Sequence, residues 1–202
     1  MTQEQKSTKK PDQAEQTSPA HEILSLLLYI VIVFGICFLI ITFVGQRSRV
    51  SGSSMEPTLS DGDNLIVDKI SYRLHDPERF DIIIFPYQYE ENTYYIKRII
   101  GLPGETVQIM DDGSIYINDA GEIYINGTLL KENYGLETIQ NPGLASEPIT
   151  LGDDEYFVMG DNRNNSTDSR FASVGAIKRQ DIIGKAWVRI YPFNKIMVIK
   201  HQ

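Results

Sequence analysis

The residues of this chain best suited to bond-making chemistry lie in one loop, Val50-Ser51-Gly52-Ser53-Ser54-Met55-Glu56-Pro57-Thr58-Leu59, where serines flank a glycine and precede a proline. A serine hydroxyl is a weak nucleophile until a neighbouring base takes its proton. His21, His75 and His201 are scattered along the sequence, with no metal-ligand spacing and no cysteine or acidic cluster beside them. Neither a histidine triad nor a metal site is indicated, and no cofactor is expected. The arrangement that remains is a serine paired with a lysine. An exposed lysine titrates near 10.4 and is useless as a base at neutral pH, so the partner must be a lysine buried among apolar groups.

Tyr94-Tyr95-Ile96-Lys97-Arg98-Ile99-Ile100 is the one strand-like run in which a basic pair sits between bulky apolar neighbours on both sides. Period-2 alternation puts Lys97 on one face with Tyr95 and Ile99, and Arg98 on the other with Ile96 and Ile100. Periodicity does not choose the inward face, but chemistry chooses the base, because a guanidinium does not deprotonate in proteins and a desolvated ammonium does. Lys69, beside Asp68, stands second and reads as a surface lysine at a strand end. Without the serine loop, Lys97 would read as a charge protecting an edge strand.

These residues need a frame to hold them. Beyond residue 45 the chain breaks into short β-branched and aromatic runs separated by Gly, Pro, Asp and Asn, which predicts a mainly β domain. Strands are expected over Asn64–Ile70, Asp81–Phe85, Thr93–Ile100, Thr106–Met110, Ser114–Asn118, Glu122–Ile125, Glu155–Met159 and Ile182–Tyr191. The echo of Ile115-Tyr116-Ile117-Asn118 in Ile123-Tyr124-Ile125-Asn126 suggests hairpins projecting from the main sheet. Ahead of this domain, Ile23 to Val44 is free of charge. As a helix it would span about 33 Å, the thickness of a bilayer core. A transmembrane anchor over 22–45 is therefore expected, preceded by a disordered tail over 1–21 and followed by a β domain over 46–202. No small-residue cleavage site follows the apolar run, so it is read as retained. Lysines before it and Arg47 and Arg49 after it leave its orientation open.

Composition sets the outer bounds. With 202 residues, a net charge of -8 and a pI near 4.9, the chain offers no basic surface for a nucleic-acid backbone. Its single cysteine, Cys37, falls inside the apolar run, which excludes an intrachain disulfide.

Taken in order, the apolar run, the Ser54-Met55-Glu56-Pro57-Thr58-Leu59 loop, Gly62-Asp63 with Lys69, Lys97-Arg98-Ile99-Ile100-Gly101-Leu102-Pro103-Gly104-Glu105, and Gly160-Asp161-Asn162-Arg163-Asn164-Asn165-Ser166-Thr167-Asp168-Ser169-Arg170 resemble the bacterial type I signal peptidases. The resemblance runs from the apolar segment to about Arg189. It implies a serine endopeptidase that removes signal peptides from exported preproteins after Ala-x-Ala-like sites. It also implies a cytoplasmic N-terminus, an extracytoplasmic catalytic domain, and an antiparallel β fold with a smaller β insertion, here about 107–155. Its motif match makes Ser54 the nucleophile and Lys97 the general base, with Ser166 orienting the lysine amine and Asp161, Asp168 and Arg170 holding the surrounding loop.

The residues agree with those roles. Gly52 permits a tight turn, Pro57 stiffens the chain after it, and Ser53 and Met55 flank the nucleophile. The Ser54 N–H can serve as an oxyanion donor. Some relatives place a serine where Gly52 stands, so a second donor is unassigned, with Ser53 and Ser51 as alternatives. Many relatives also carry an aspartate at the position of Asn164. Signal peptides are expected to bind by strand addition near Ser48–Gly52 and Tyr94–Ile96. Met55 and Leu59 are read as core residues, with bilayer contact as the alternative. Two competing classes are a Ser-Lys protease of the self-cleaving repressor kind, disfavoured by the apolar segment and the lack of a DNA-binding region, and a non-catalytic β domain, which would have no need of Ser54 and Lys97.

Overall fold

The structure, a computed structural model, describes residues 19–43, 45–111, 121–135 and 137–201. The chain divides into two units, Met1–Ile40 and Ile41–Gln202. The first is represented by helix α1 (Pro19–Phe43), whose uncharged run satisfies its own backbone polar groups. Its described side chains, at residue 20 and over 22–36, are all exposed. Among the described residues no helix is long and apolar enough to cross a membrane. The tail expected over 1–21 lies almost wholly outside the described residues, as does the Cys37 side chain.

The second unit is built on an antiparallel sheet in the order β1-β2-β11-β3-β4-β9-β10, with β12 attached to β11. Its strands are β1 (Gly45–Arg49), β2 (Asn64–Asp68), β3 (Ile82–Pro86), β4 (Tyr94–Gly101), β9 (Glu155–Met159), β10 (Ile177–Lys178), β11 (Gly184–Tyr191) and β12 (Met197–Val198). A four-stranded sheet in the order β7-β6-β5-β8 is formed by β5 (Thr106–Asp111), β6 (Gly121–Ile125), β7 (Thr128–Leu129) and β8 (Ile149–Thr150). The mainly β antiparallel expectation holds. Among the described residues, the α-helix that lies between the strands is a single turn, α2 (Ser71–Leu74).

Two differences from the sequence reading have physical causes. Strand β1 was not expected, because Gly45-Gln46-Arg47-Ser48-Arg49 has neither alternation nor β-branched residues. It is an edge strand, ordered by pairing with β2 from Gly45↔Asp68 to Arg49↔Asn64, and tertiary pairing overrides weak local propensity. Strand β6 pairs with β5, from Val107↔Ile125 to Asp111↔Gly121. The strand expected at Ser114–Asn118 lies outside the described residues. Finally, β4 has no solvent face over its last five residues, since Lys97, Arg98, Ile99, Ile100 and Gly101 are all buried. Strands β3 and β9 flank β4, and cores lie on both sides of it. The question of which face points inward dissolves, because both do.

One core lies beneath the serine loop. Val50, Met55, Leu59, Leu65, Val67, Ile82, Ile84, Ala186 and Ile199 form it, and Met55 is wholly inaccessible. Burying a side chain of that size stabilises by about 1.5–3 kcal/mol, so Met55 ties the loop to the sheet. A second core joins the two sheets through Ile100, Val107, Ile109, Phe157 and Met159. Gly101 sits at that junction, where an added Cβ would lie 2.5 Å from Val107 Cγ2 and 2.9 Å from Leu151 Cδ1. Gly101→Ala should therefore lower stability by about 1–3 kcal/mol through overpacking, read as a lower chemical-denaturation midpoint.

Candidate active site

Ser54 lies in the turn between β1 and β2. Gly52 begins that turn at φ +91°, a left-handed conformation that suits glycine, and its N–H donates to Asp61 Oδ1 at 2.9 Å. An added Cβ at Gly52 would meet nothing within 4 Å, so the requirement there is conformational rather than steric. The turn is closed at its base by Val50 N–H donating to Asp63 O at 2.8 Å and Gly62 N–H to Val50 O at 3.0 Å. The N–H of Ser54 itself has no acceptor among the described residues.

Lys97 reaches this turn from β4. Its Nζ donates to Ser54 Oγ at 2.9 Å and to Ile96 O at 3.0 Å. The side chain is buried, and burial pushes its pKa down to about 8, although Asp168 and Asp161 favour the charged form. Those two acids are already engaged. Arg98 grips Asp161 with Nε at 2.8 Å and Nη2 at 2.7 Å, and Arg170 grips Asp168 with Nε at 2.8 Å and Nη2 at 2.9 Å. All four side chains are buried. Desolvation therefore prevails at Lys97, whereas Lys69 is only half-buried and makes no side-chain bond among the described residues.

The segment 160–170 folds over the serine turn. Asn162 N–H donates to Ser54 O at 3.1 Å, and Asn162 Nδ2 donates to Ser53 O at 3.2 Å. Asn165 Nδ2 holds Ser53 Oγ at 2.7 Å. Thr58 Oγ1 donates to Asp161 Oδ2 at 2.5 Å, joining the far end of the serine loop to the same carboxylate that Arg98 holds. Gly160 is packed without space for a side chain, because an added Cβ would collide with Ser166 Oγ and Ser54 O. A groove of about 370 Å³ runs past these groups, lined by 48–54, Ile84, 94–97, Asn165 and Thr167. This arrangement can deprotonate a serine in a largely dry site and present a free backbone N–H beside it.

A family model described as signal peptidase, peptidase S26, matches residues 23–191. The chain belongs to that family. A signal peptidase I of Leptolyngbya laminosa is 42% identical over 193 residues, covering 91% of this chain and 86% of the relative. Signal peptidase I P of Bacillus subtilis subsp. natto is 36% identical over 176 residues, covering 86% and 92%. A crystal structure of a signal peptidase I from Enterococcus faecalis is 33% identical, with a TM-score of 0.40 over 55% of this chain and 97% of that one. The family assignment does not rest on that last likeness.

Within this signal peptidase, the structure brings Ser54, Lys97, Gly52, Ser53, Asp161, Asp168 and Arg170 together. Met55 lies beneath them in the core, as does Leu59, so neither contacts solvent. Pro57 is exposed at the outer end of the turn. Ser166 Oγ is buried and has no hydrogen-bond partner among the described residues, and the Lys97 amine bonds Ser54 Oγ and Ile96 O. Asn164 accepts the Gln140 N–H through Oδ1 and donates through Nδ2 to Glu137 and Thr138 O. The amides of Asn162 and Asn165 escaped sequence reasoning, since their acceptors lie more than a hundred residues away and the stretch read only as a turn rich in Asx hydrogen bonds. Removing the acid from the buried Arg98 pair strands a guanidinium, so Asp161→Ala should cost roughly 3–5 kcal/mol. Asn164→Ala, at an exposed position, should cost no more than about 1 kcal/mol on the same denaturation curve.

Proposed function

We propose that this chain is a membrane-anchored serine endopeptidase that removes N-terminal signal peptides from preproteins after Ala-x-Ala-like sites, with Ser54 as nucleophile and Lys97 as general base. The carrying observation is the 2.9 Å contact between Lys97 Nζ and Ser54 Oγ together with a lysine lowered to about 8. At pH 7 about a tenth of such a lysine is neutral, roughly two hundred times more than an exposed one provides. Family membership supports the substrate class, since the relatives are signal peptidases by name.

Neutral Lys97 accepts the Ser54 proton while Oγ attacks the scissile carbonyl, and the unshared Ser54 N–H faces the developing oxyanion. The resulting ammonium then protonates the leaving amine as the C–N bond breaks, giving an acyl-enzyme. A water deprotonated by Lys97 attacks that ester, and the proton returns to Ser54. Ser166 Oγ, buried and unpartnered, supplies an acceptor for the amine once Ser54 Oγ turns to the carbonyl.

Strand addition is supported by the register of the sheet. Strand β9 pairs with β4 only from Arg98↔Met159 onward, while β3 covers β4 from Tyr94 to Arg98. On the β9 side, the backbone of 94–96 is therefore open to an extended peptide. Anchoring is supported by the uncharged run Ile23–Val44, by helix α1 over Pro19–Phe43, and by exposed apolar side chains such as Ile23 at 60% and Phe34 at 72%. On this reading the N-terminus is cytoplasmic and the β unit extracytoplasmic, as the resemblance to the family implies.

Ser54→Ala and Lys97→Ala should each lower cleavage of a preprotein carrying an Ala-x-Ala site by at least about a thousandfold while both proteins stay folded, and Lys69→Ala should leave it unchanged. Full activity in Lys97→Ala would overturn the pair. Because the active base is the deprotonated amine, cleavage should rise with pH, about tenfold per unit on the acidic side, and level off above about 8. A profile flat from pH 6 to 9 would exclude Lys97 as the titrating base.

A further inference from the structure

We propose that the Arg49↔Asn64 end of the β1–β2 pair carries a binding site for a phosphate group, built from Arg47, Arg49 and Lys195. Arg47 and Arg49 are two residues apart on β1 and share a face. Register brings the third cation to them: Asn64 of β2 pairs with Arg49 on one side and with Tyr191 of β11 on the other, and the turn Phe193–Lys195 follows β11 directly. The three cations line one cavity of about 390 Å³.

None of the three has a carboxylate partner among the described residues. Arg47 bonds only the neutral Asn64 Oδ1, through Nε at 3.1 Å and Nη2 at 2.9 Å, leaving Nη1 unused. Arg49 and Lys195 make no side-chain bond at all among the described residues. Two acids line the same cavity, but Asp63 is neutralised by Arg189 at 2.9 Å and only Asp61 is left with a full charge. A net positive cavity with two guanidinium forks stands out in a chain of formal charge -8. Planar forks of this kind match the paired oxygens of a phosphate.

A lipid headgroup and a free phosphate share this chemistry. The first is favoured by Phe193, 78% exposed and 5.5 Å from the Tyr191 ring, because exposed aromatics beside cations are typical of a lipid interface. Occupancy would bear on catalysis, since Asp61 and Asp63 are the residues that hold the base of the Ser54 turn.

The full chain in neutral detergent is titrated calorimetrically with dihexanoyl phosphatidylglycerol below its micelle concentration, with dihexanoyl phosphatidylcholine, and with inorganic phosphate. Saturable binding of phosphatidylglycerol or phosphate is expected, weakened about tenfold by Lys195→Glu and by Arg47→Gln. Tighter binding of phosphatidylglycerol than of phosphate assigns a lipid, and equal binding assigns the phosphate group alone. No saturable binding of either phosphatidylglycerol or phosphate, or binding unaltered in both variants, overturns the site, and equal binding of phosphatidylcholine assigns the shared phosphodiester rather than the net charge of the headgroup. The lipid source rests on the anchor reading, but the titration does not. Failure of the anchor would appear as lost partition into vesicles, and failure of the Ser-Lys pair as lost cleavage, with the titration unchanged in either case.

Discussion

A lysine that must act as a base has to be dry, yet a dry lysine beside two free carboxylates would keep its proton. The site reconciles these demands by giving each nearby acid its own guanidinium. Asp161 is held by Arg98 and Asp168 by Arg170, each through two hydrogen bonds, so each carboxylate's pull on the Lys97 proton is opposed by a guanidinium, and burial outweighs what remains of it. Buried ion pairs contribute little net stability because desolvation offsets their attraction. Here they allow the fold to place carboxylates as structural ties close to the amine without recharging it.

Those same pairs carry the mechanical connections. Asp161 receives Arg98 from β4 and Thr58 from the serine loop, while Asp168 Oδ2 accepts the N–H of Gly160 at the start of the covering segment. Ser54, Lys97 and the covering segment come from three distant parts of the chain, and two carboxylates tie them together. Glu132 and Tyr134 extend the bracing outward, the first pairing with Arg163 and the second stacking 3.6 Å over Arg98 while donating to His201 O at 2.7 Å.

What could be read from the sequence was local. The β character, the strand carrying Lys97 and Arg98, and the turn chemistry of 160–170 are written in short-range patterns, and elimination of histidine sufficed to select a lysine. Arg98 was visible but only as the wrong choice of base. Its role depends on Asp161, sixty-three residues away, and separation of that order leaves no local trace. Strand β1 was hidden for the opposite reason: its residues have little strand propensity and are ordered by their partner. The Asn162 and Asn165 amides looked like turn-formers because the side chain that bonds its own turn is the same one that reaches across to Ser53.

The gap beside β4 also limits what the enzyme can attack. Unpaired strand edges normally lie at the rim of a sheet, where any other edge can dock. This one lies within the sheet, where β9 stops short, along a groove walled by the serine turn and the covering segment. A folded domain presents its edges backed by a layer of its own and cannot lower one into such a slot, whereas a single extended chain can. Discrimination between unfolded leader and folded cargo would then follow from the depth of a missing strand, before any side chain is inspected.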